Sequence, residues 1–86
     1  MNTRKKIVVV GSGYVGMSLA TMLSNKHEVC VLDIDESRVQ TINDRKSTIR
    51  DNDIDEMLKK NDLKLTATNN KHEAYDNSDF IIVCTP

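Results

Sequence analysis

The sequence has few of the residues that mark specialised protein classes. Its 86 residues include two cysteines, Cys30 and Cys84, whose spacing matches neither a CxxC motif nor a zinc-ligand pattern, and we expect both to be buried, reduced thiols. No stretch approaches the roughly 18 consecutive apolar residues of a membrane helix. The apolar run at residues 7–10 is too short for a signal peptide. We therefore expect a cytoplasmic chain with no membrane partner.

An excess of charge of one sign is also missing. The chain carries 12 basic and 13 acidic residues, and the longest like-charge run, Arg4-Lys5-Lys6, fits the flank of a strand better than a site for a polyanion. No basic stripe is present, so we expect no nucleic-acid partner. The composition, 38% apolar and 29% charged, is that of an ordinary globular domain rather than a disordered segment. A chain of this length can bury one core.

What the sequence does contain is a regular alternation of apolar patterns. Four short apolar or alternating runs predict strands, at residues 6–10, 28–33, 63–68 and 80–84. Segments between them predict helices, at residues 14–25, 35–43, 54–60 and 70–75. This order predicts an α/β fold, a Rossmann-type doubly wound parallel sheet of about four strands, in the order 3-2-1-4.

Several details of the helices follow from the same pattern. Asp35 is the expected N-cap of the second helix, and Asp53 of the third, where Glu56 would complete a capping box. The expected core-facing stripe of the first helix consists of Val15, Leu19, Met22 and Leu23.

All three glycines of the chain lie in one loop, GSGYVG at residues 11–16. The loop follows a predicted strand, opens a predicted helix, and is followed 22 residues after Gly11 by an acid, Asp33, at the end of the next strand. This is the pattern of a dinucleotide-binding site. Gly11 would permit the tight turn, Gly13 the close approach of a pyrophosphate, and Gly16 the packing of the helix on the sheet. The free N–H groups at the helix start would hold the phosphates.

The residues around this loop refine the prediction. Asp33 is expected to accept hydrogen bonds from the adenine ribose hydroxyls, and because its carboxylate would repel a 2′-phosphate, NAD is favoured over NADP. The alternative, that Asp33 caps a helix, is weaker because Asp35 fits that role. Arg38 either reaches the adenosine edge or is a solvated charge. Val15 is expected to lie half in the core and half against the cofactor. Ser12 belongs to a phosphate loop rather than a GxSxG nucleophile motif.

The segment KIVVVGSGYVGMS at residues 6–18 resembles the opening of the nucleotide-sugar 6-dehydrogenases, a family of UDP-glucose, GDP-mannose and UDP-N-acetylmannosamine dehydrogenases. Within this family, the sequence most resembles the short bacterial UDP-glucose 6-dehydrogenases. One departure is Thr48, where the family usually has proline, and we expect it mainly to loosen a loop. Further matching segments are HEV at 27–29, LDI at 32–34, RV at 38–39, IN at 42–43, LTAT at 65–68, EAY at 73–75 and IIVCTP at 81–86.

The resemblance implies a set of cofactor contacts and an activity. It implies oxidation of UDP-glucose to UDP-glucuronate with two NAD, or the same chemistry on GDP-mannose or UDP-N-acetylmannosamine. No catalytic residue and no metal ligand is assigned within the chain. The expected cofactor-binding residues are Gly11, Ser12, Gly13, Tyr14, Val15, Gly16, Asp33, Arg38 and Thr85.

The family's catalytic residues and sugar-nucleotide domain are expected beyond Pro86. Residues 1–86 are therefore expected to be an incomplete N-terminal NAD-binding domain that has no activity alone and meets UDP-glucose only in the intact protein. The outer edge of the last strand would then lack a partner, so we also expect self-association through it.

Overall fold

The chain folds as the alternation of patterns predicts, and a computed structural model describes residues 4–60 and 63–84. Its strands are β1 (Lys6–Val10), β2 (Glu28–Leu32), β3 (Leu65–Thr68) and β4 (Phe80–Val83). Its helices are α1 (Tyr14–Leu23), α2 (Glu36–Asn43), α3 (Asn52–Leu58) and α4 (Lys71–Tyr75). Each element that the sequence predicts is therefore present, with ends that differ by a few residues.

The four strands form one parallel sheet in the order β3-β2-β1-β4, which confirms the predicted fold and strand order. The chain builds outward from β1 in two directions, with β2 and β3 on one side and β4 on the other. The carboxyl end of β1 is thus the point where the strand order reverses. Open α/β sheets bind their ligands at such a point.

Both faces of the inner strands, β1 and β2, are covered, which explains why these strands are continuously apolar. In β1, Ile7 and Val9 belong to the larger core cluster, beneath α1 and α3, whereas Val8 belongs to a smaller cluster with Ala74 of α4. Alternate residues of one strand point to opposite faces, so a strand buried on both sides needs apolar residues at every position. On the outer side of β3, the Asn43 amide bonds the backbone of Ala67 in both directions, at 3.0 and 2.9 Å.

The buried face of α1 differs from the prediction. Val15 and Met22 of the expected stripe are 61% and 57% exposed, and Leu19 and Leu23 are half-buried. The residues that face the sheet are instead Gly16, Met17, Ala20 and Thr21. Small residues allow the helix to approach the sheet closely, and the Thr21 hydroxyl is satisfied by donating to the Met17 carbonyl at 2.9 Å. Apolar periodicity alone therefore misplaced the face of this helix.

Two of the helix caps test the sequence interpretation. Asp35 caps α2 as predicted, since its carboxylate accepts from the backbone N–H groups of Ser37 and Arg38. The cap of α3 is Asp51, which accepts from the N–H groups of Asp53 and Ile54, so the prediction that Asp53 is the cap was wrong. The helix begins two residues earlier than its apolar pattern indicates, because polar residues form its first turn.

The two cysteines differ in their surroundings. Both are free thiols, but Cys30 is buried in β2 whereas Cys84 follows β4 and is only half-buried, which corrects the expectation for Cys84. Burial raises the pKa of the Cys30 thiol, and a hydrogen bond with Thr66 opposes this shift. Within the described segments, no helix has the length and apolarity needed to cross a membrane.

Candidate functional site

The glycine loop occupies the carboxyl end of β1, between the ends of β2 and β4. The Gly11 N–H donates to the Leu32 carbonyl at 2.9 Å, and the Cys84 N–H donates to the Val10 carbonyl at 2.8 Å. Gly11 has a φ of 105°, a conformation that favours glycine, so this residue makes the turn as predicted. Gly13 is the N-cap of α1 and offers no side chain to its first N–H groups. These groups lack intrahelical partners, and they carry the positive end of the helix dipole.

The other two glycines are needed for different reasons. A Cβ on Gly16 would overlap the carbonyl oxygen of Gly11, so the close contact of helix and loop requires glycine there, as predicted. A Cβ on Gly13 would meet no atom within 4 Å, and its φ of −76° is open to any residue. Neither the backbone nor the packing of the described residues therefore explains Gly13. A ligand that approaches the loop closely would explain it.

Ser12, between two of these glycines, is 1% exposed and joins three parts of the chain. Its N–H and its hydroxyl donate to Oδ2 of Asp33 at 3.1 and 2.5 Å. Its hydroxyl also accepts from the Arg38 guanidinium at 3.4 Å, and its carbonyl accepts from the Thr48 hydroxyl at 2.6 Å. Ser12 therefore fixes the shape of the loop from within the protein.

Asp33 stands directly after β2 and is held on both carboxylate oxygens. While Oδ2 accepts from Ser12, Oδ1 accepts from the N–H of Asp35 at 2.9 Å. It does not cap α2, since Asp35 does so. The Asp33 carboxylate is thus fixed at the rim of the loop, and it retains lone pairs for a further donor.

Arg38, one turn into α2, lies at the edge of the same region. Besides its bond to Ser12, its Nε lies 3.9 Å from Oδ2 of Asp35, and both side chains are nearly half exposed. The pKa of Asp35 lies below its usual range, first because the Ser37 hydroxyl donates to it and then because of the Arg38 and Ser37 N–H groups. Of the two roles that the sequence left open for Arg38, the structure shows a half-exposed ion pair with Asp35, and the contact with the adenosine edge stays a prediction.

A cleft of about 590 Å³ opens above these residues. Of the predicted site, Gly11, Ser12, Gly13, Asp33 and Arg38 line it, whereas Tyr14, Val15 and Gly16 do not. Tyr14 and Val15 are more than 60% exposed beside it, so the prediction that Val15 is half core was wrong. Thr85 lies outside the described residues.

The cleft also has walls that sequence reasoning missed. Asn69, Lys71 and Tyr75 line it from the region between β3 and the end of α4, and Cys84 lines it from the end of β4. The signal that could have found Asn69 and Cys84 is their place just after parallel strands, because the carboxyl ends of such strands meet at one edge. Val10, Leu32 and Ile34 add apolar lining.

Thr48 has a contact that the sequence did not predict. The α2–α3 loop was expected to be looser for having threonine here. Its hydroxyl instead donates to the Ser12 carbonyl, 36 positions away in sequence, and ties this loop to the glycine loop.

Residues 5–86 match the model of the UDP-glucose/GDP-mannose dehydrogenase family, NAD binding domain. The chain belongs to this family. Its cofactor is NAD, as predicted. The cleft fits this cofactor, because the Gly13 face is open and a fixed carboxylate, Asp33, stands at the end of β2.

Relatives and solved structures give the same assignment. UDP-glucose 6-dehydrogenase of Campylobacter jejuni is 49% identical over 83 residues, which cover 94% of this chain and 21% of that protein. UDP-glucose 6-dehydrogenase of Streptococcus pneumoniae is 42% identical over 81 residues, with 94% and 21% covered. The crystal structure of a ternary complex of GDP-mannose dehydrogenase from Pseudomonas aeruginosa superposes with a TM-score of 0.86 at 30% identity, covering 93% of this chain and 19% of that one. The chain thus spans about a fifth of the length of these proteins.

Proposed function

We propose that this chain is the NAD-binding part of a UDP-glucose 6-dehydrogenase, an enzyme that oxidises UDP-glucose to UDP-glucuronate with two NAD. The two UDP-glucose 6-dehydrogenases at 49% and 42% identity support this substrate. The observation that carries the binding role is Gly13, which lines the cleft although no packing or backbone constraint of the described residues calls for glycine.

The proposed roles follow from the geometry of the cleft. The N–H groups at the start of α1, beside Tyr14 and Val15, would bind the pyrophosphate, with Gly13 admitting it to the backbone. Asp33 would accept from the adenine ribose hydroxyls, held in place by Ser12. Arg38 would lie along the adenosine edge. Thr85 would approach the nicotinamide-side ribose, a role that rests on the resemblance alone.

The chemistry itself belongs to residues outside this chain in the proposal. When bound, NAD supplies the hydride acceptor for each of the two oxidations at C6 of the sugar. The proposal assigns none of the residues that line the cleft to this chemistry: the Ser12 hydroxyl is held by Asp33, and the Cys84 N–H donates to Val10 as part of the strand ladder. In this proposal the chain binds NAD, and UDP-glucose would be bound only by the intact protein.

Calorimetric titration of the chain with NAD tests the binding role. An assay of NADH formation from UDP-glucose tests whether the chain alone lacks dehydrogenase activity. We expect saturable NAD binding and no NADH above background. Failure of the chain to bind NAD would contradict the proposed function. Turnover by the chain alone, with host enzyme excluded, would show that the catalytic residues lie within it.

A different sugar is the second candidate, because dehydrogenases of GDP-mannose and UDP-N-acetyl-D-mannosamine also match this chain. The cleft of this chain contacts the cofactor and not the sugar in either case. Assays of the intact protein with UDP-glucose, GDP-mannose and UDP-N-acetylmannosamine decide between them. We expect the highest kcat/KM with UDP-glucose.

A further inference from the structure

The backbone of the glycine loop is intrinsically flexible, and contacts with other parts of the chain hold it in place. Ser12 has a glycine on each side, and glycine restricts the backbone less than any other residue. No side chain caps α1 at Gly13 to hold the end of the loop. The loop therefore needs contacts from elsewhere in the chain to keep one conformation before a ligand arrives.

Two sides of Ser12 receive such contacts. Its N–H and hydroxyl are held by Asp33, whereas its carbonyl oxygen accepts from the Thr48 hydroxyl at 2.6 Å. Among the described residues, Thr48 is the donor recorded for this carbonyl. The Ser12–Gly13 peptide is trans and planar, so fixing the direction of its C=O also fixes the direction of the Gly13 N–H at its other end.

Thr48 is itself held firmly enough to act in this way. The N–H of the preceding residue, Ser47, donates to the Asp55 carboxylate of α3 at 3.1 Å. The following residue, Ile49, packs against the main core cluster and donates its N–H to the Ser47 hydroxyl at 3.1 Å. The Thr48 hydroxyl thus connects the glycine loop to the body of the domain.

We infer that Thr48 is a positioning residue for the phosphate-binding loop: by holding the Ser12 carbonyl it fixes the peptide that leads into α1, and so aims the first N–H groups of the helix at the cofactor pyrophosphate. This inference rests on the proposed NAD-binding role. Thr48 does not line the cleft, so its effect is transmitted through Ser12 and Gly13.

The test compares two substitutions at one position. Thr48→Val keeps the shape of the side chain and removes the donor, whereas Thr48→Ser keeps the hydroxyl and is the matched control. Affinities for NAD and for adenosine, which has no pyrophosphate, are measured by NMR titration of the chain. Thr48→Val should bind NAD about five- to tenfold more weakly than the wild type, as expected for one loosened hydrogen bond, and bind adenosine within about twofold. Thr48→Ser should bind both like the wild type.

A merely structural role would give another pattern. Equal losses for NAD and adenosine, or no loss for NAD, would overturn the inference. The second measurement needs no ligand: backbone ¹⁵N relaxation at Gly13 and Tyr14 should show greater mobility in Thr48→Val than in Thr48→Ser, and equal mobility would also overturn it. If the wild type failed to bind NAD, the proposed function would fall, and the relaxation data would still decide whether Thr48 holds the loop.

Discussion

A side chain on Gly16 would overlap the carbonyl oxygen of Gly11, whereas a side chain on Gly13, three residues before Gly16, would enter open space. Packing therefore requires glycine at position 16, whereas no contact with the described residues requires it at position 13. The same substitution at the two positions should separate folding from binding.

We predict that Gly16→Ala destabilises the chain by about 1–3 kcal/mol, since helix and loop must move apart to admit the methyl group. Gly13→Ala should stay within about 1 kcal/mol of the wild type, because its φ of −76° is accessible to alanine, but it should lose NAD affinity. Urea denaturation and calorimetric titration measure the two effects. Normal NAD binding by Gly13→Ala would show that the pyrophosphate does not approach this residue.

The Asp33 carboxylate should make the site selective for NAD over NADP. A 2′-phosphate placed against a fixed carboxylate leaves an unfavourable charge contact of about 1–3 kcal/mol, or roughly 5- to 150-fold in affinity. Asp33→Asn keeps the shape of the side chain and removes its charge. The ratio of the affinities for NAD and NADP should therefore fall, mainly because the variant binds NADP more tightly. Asp35→Asn, which changes a cap that does not line the cleft, is the control and should leave the ratio unchanged. Equal affinities of the wild type for both cofactors would show that Asp33 does not face the ribose.

The sequence was sufficient for the parts of the fold that depend on local pattern. Continuous apolar runs such as residues 6–10 favour strands, and the glycine loop that follows this one places the site at the carboxyl end of β1. Asp33 was predictable for the same reason, because the end of a neighbouring parallel strand must lie beside that loop. The strand order followed from the doubly wound fold that the alternating elements predict, in which the first strand is central.

Features that depend on distant contacts were not predictable. The face of α1 was misplaced because apolar residues occur around much of this helix, and the small residues Gly16 and Ala20, which allow close packing, mark the buried face that also contains Met17. The bond from Thr48 to Ser12 joins residues 36 positions apart, and no local pattern marks it. Whether Asp51 or Asp53 caps α3 depends on the direction in which the chain enters the helix.

The two cysteines should differ in reactivity, because Cys84 is half-buried at the wall of the cleft and Cys30 is buried in β2. A thiol reagent at pH 8 should modify Cys84 first, and saturating NAD should slow this reaction. Cys30 should react only after unfolding, since burial raises the pKa of its thiol and blocks access to it. Mass spectrometry of partly modified chains assigns the sites. Modification of Cys84 at the same rate with and without NAD would place the cofactor away from the end of β4.

The raised pKa of Cys30 also predicts a pH dependence of stability. Because the folded pKa lies above the unfolded one, the contribution of the neutral thiol is fully present below about pH 8.5 and is lost as the pH rises through the folded pKa. The free energy of unfolding should therefore decline more steeply above that pH in the wild type than in Cys30→Ala, although the variant is less stable throughout because of the cavity. If the free energy of unfolding declined equally steeply with pH in the two proteins, the pKa of Cys30 would not be raised by folding.

The two edges of the sheet are protected to different degrees. At the β3 edge, Asn43 bonds the backbone of Ala67 as another strand would. Among the described residues β4 pairs with β1 alone, and Phe80, Ile81 and Val83 are 49–67% exposed along it. An uncharged, apolar edge with free backbone groups is a template for another strand. We therefore predict that the 86-residue chain self-associates through β4, by antiparallel pairing with its copy across a two-fold axis.

Analytical ultracentrifugation of a dilution series tests this prediction. The wild type should associate at high micromolar concentration, and Ile81→Lys should be monomeric, because a charge at the edge opposes its burial against a second copy. Thr66→Lys places the same charge on an exposed residue of β3, the opposite edge strand, and should associate like the wild type. Should the wild type stay monomeric while the amides of Phe80–Val83 exchange slowly, part of the chain must already cover this edge. Loss of association in both lysine variants would point to net charge, and not to β4, as the cause.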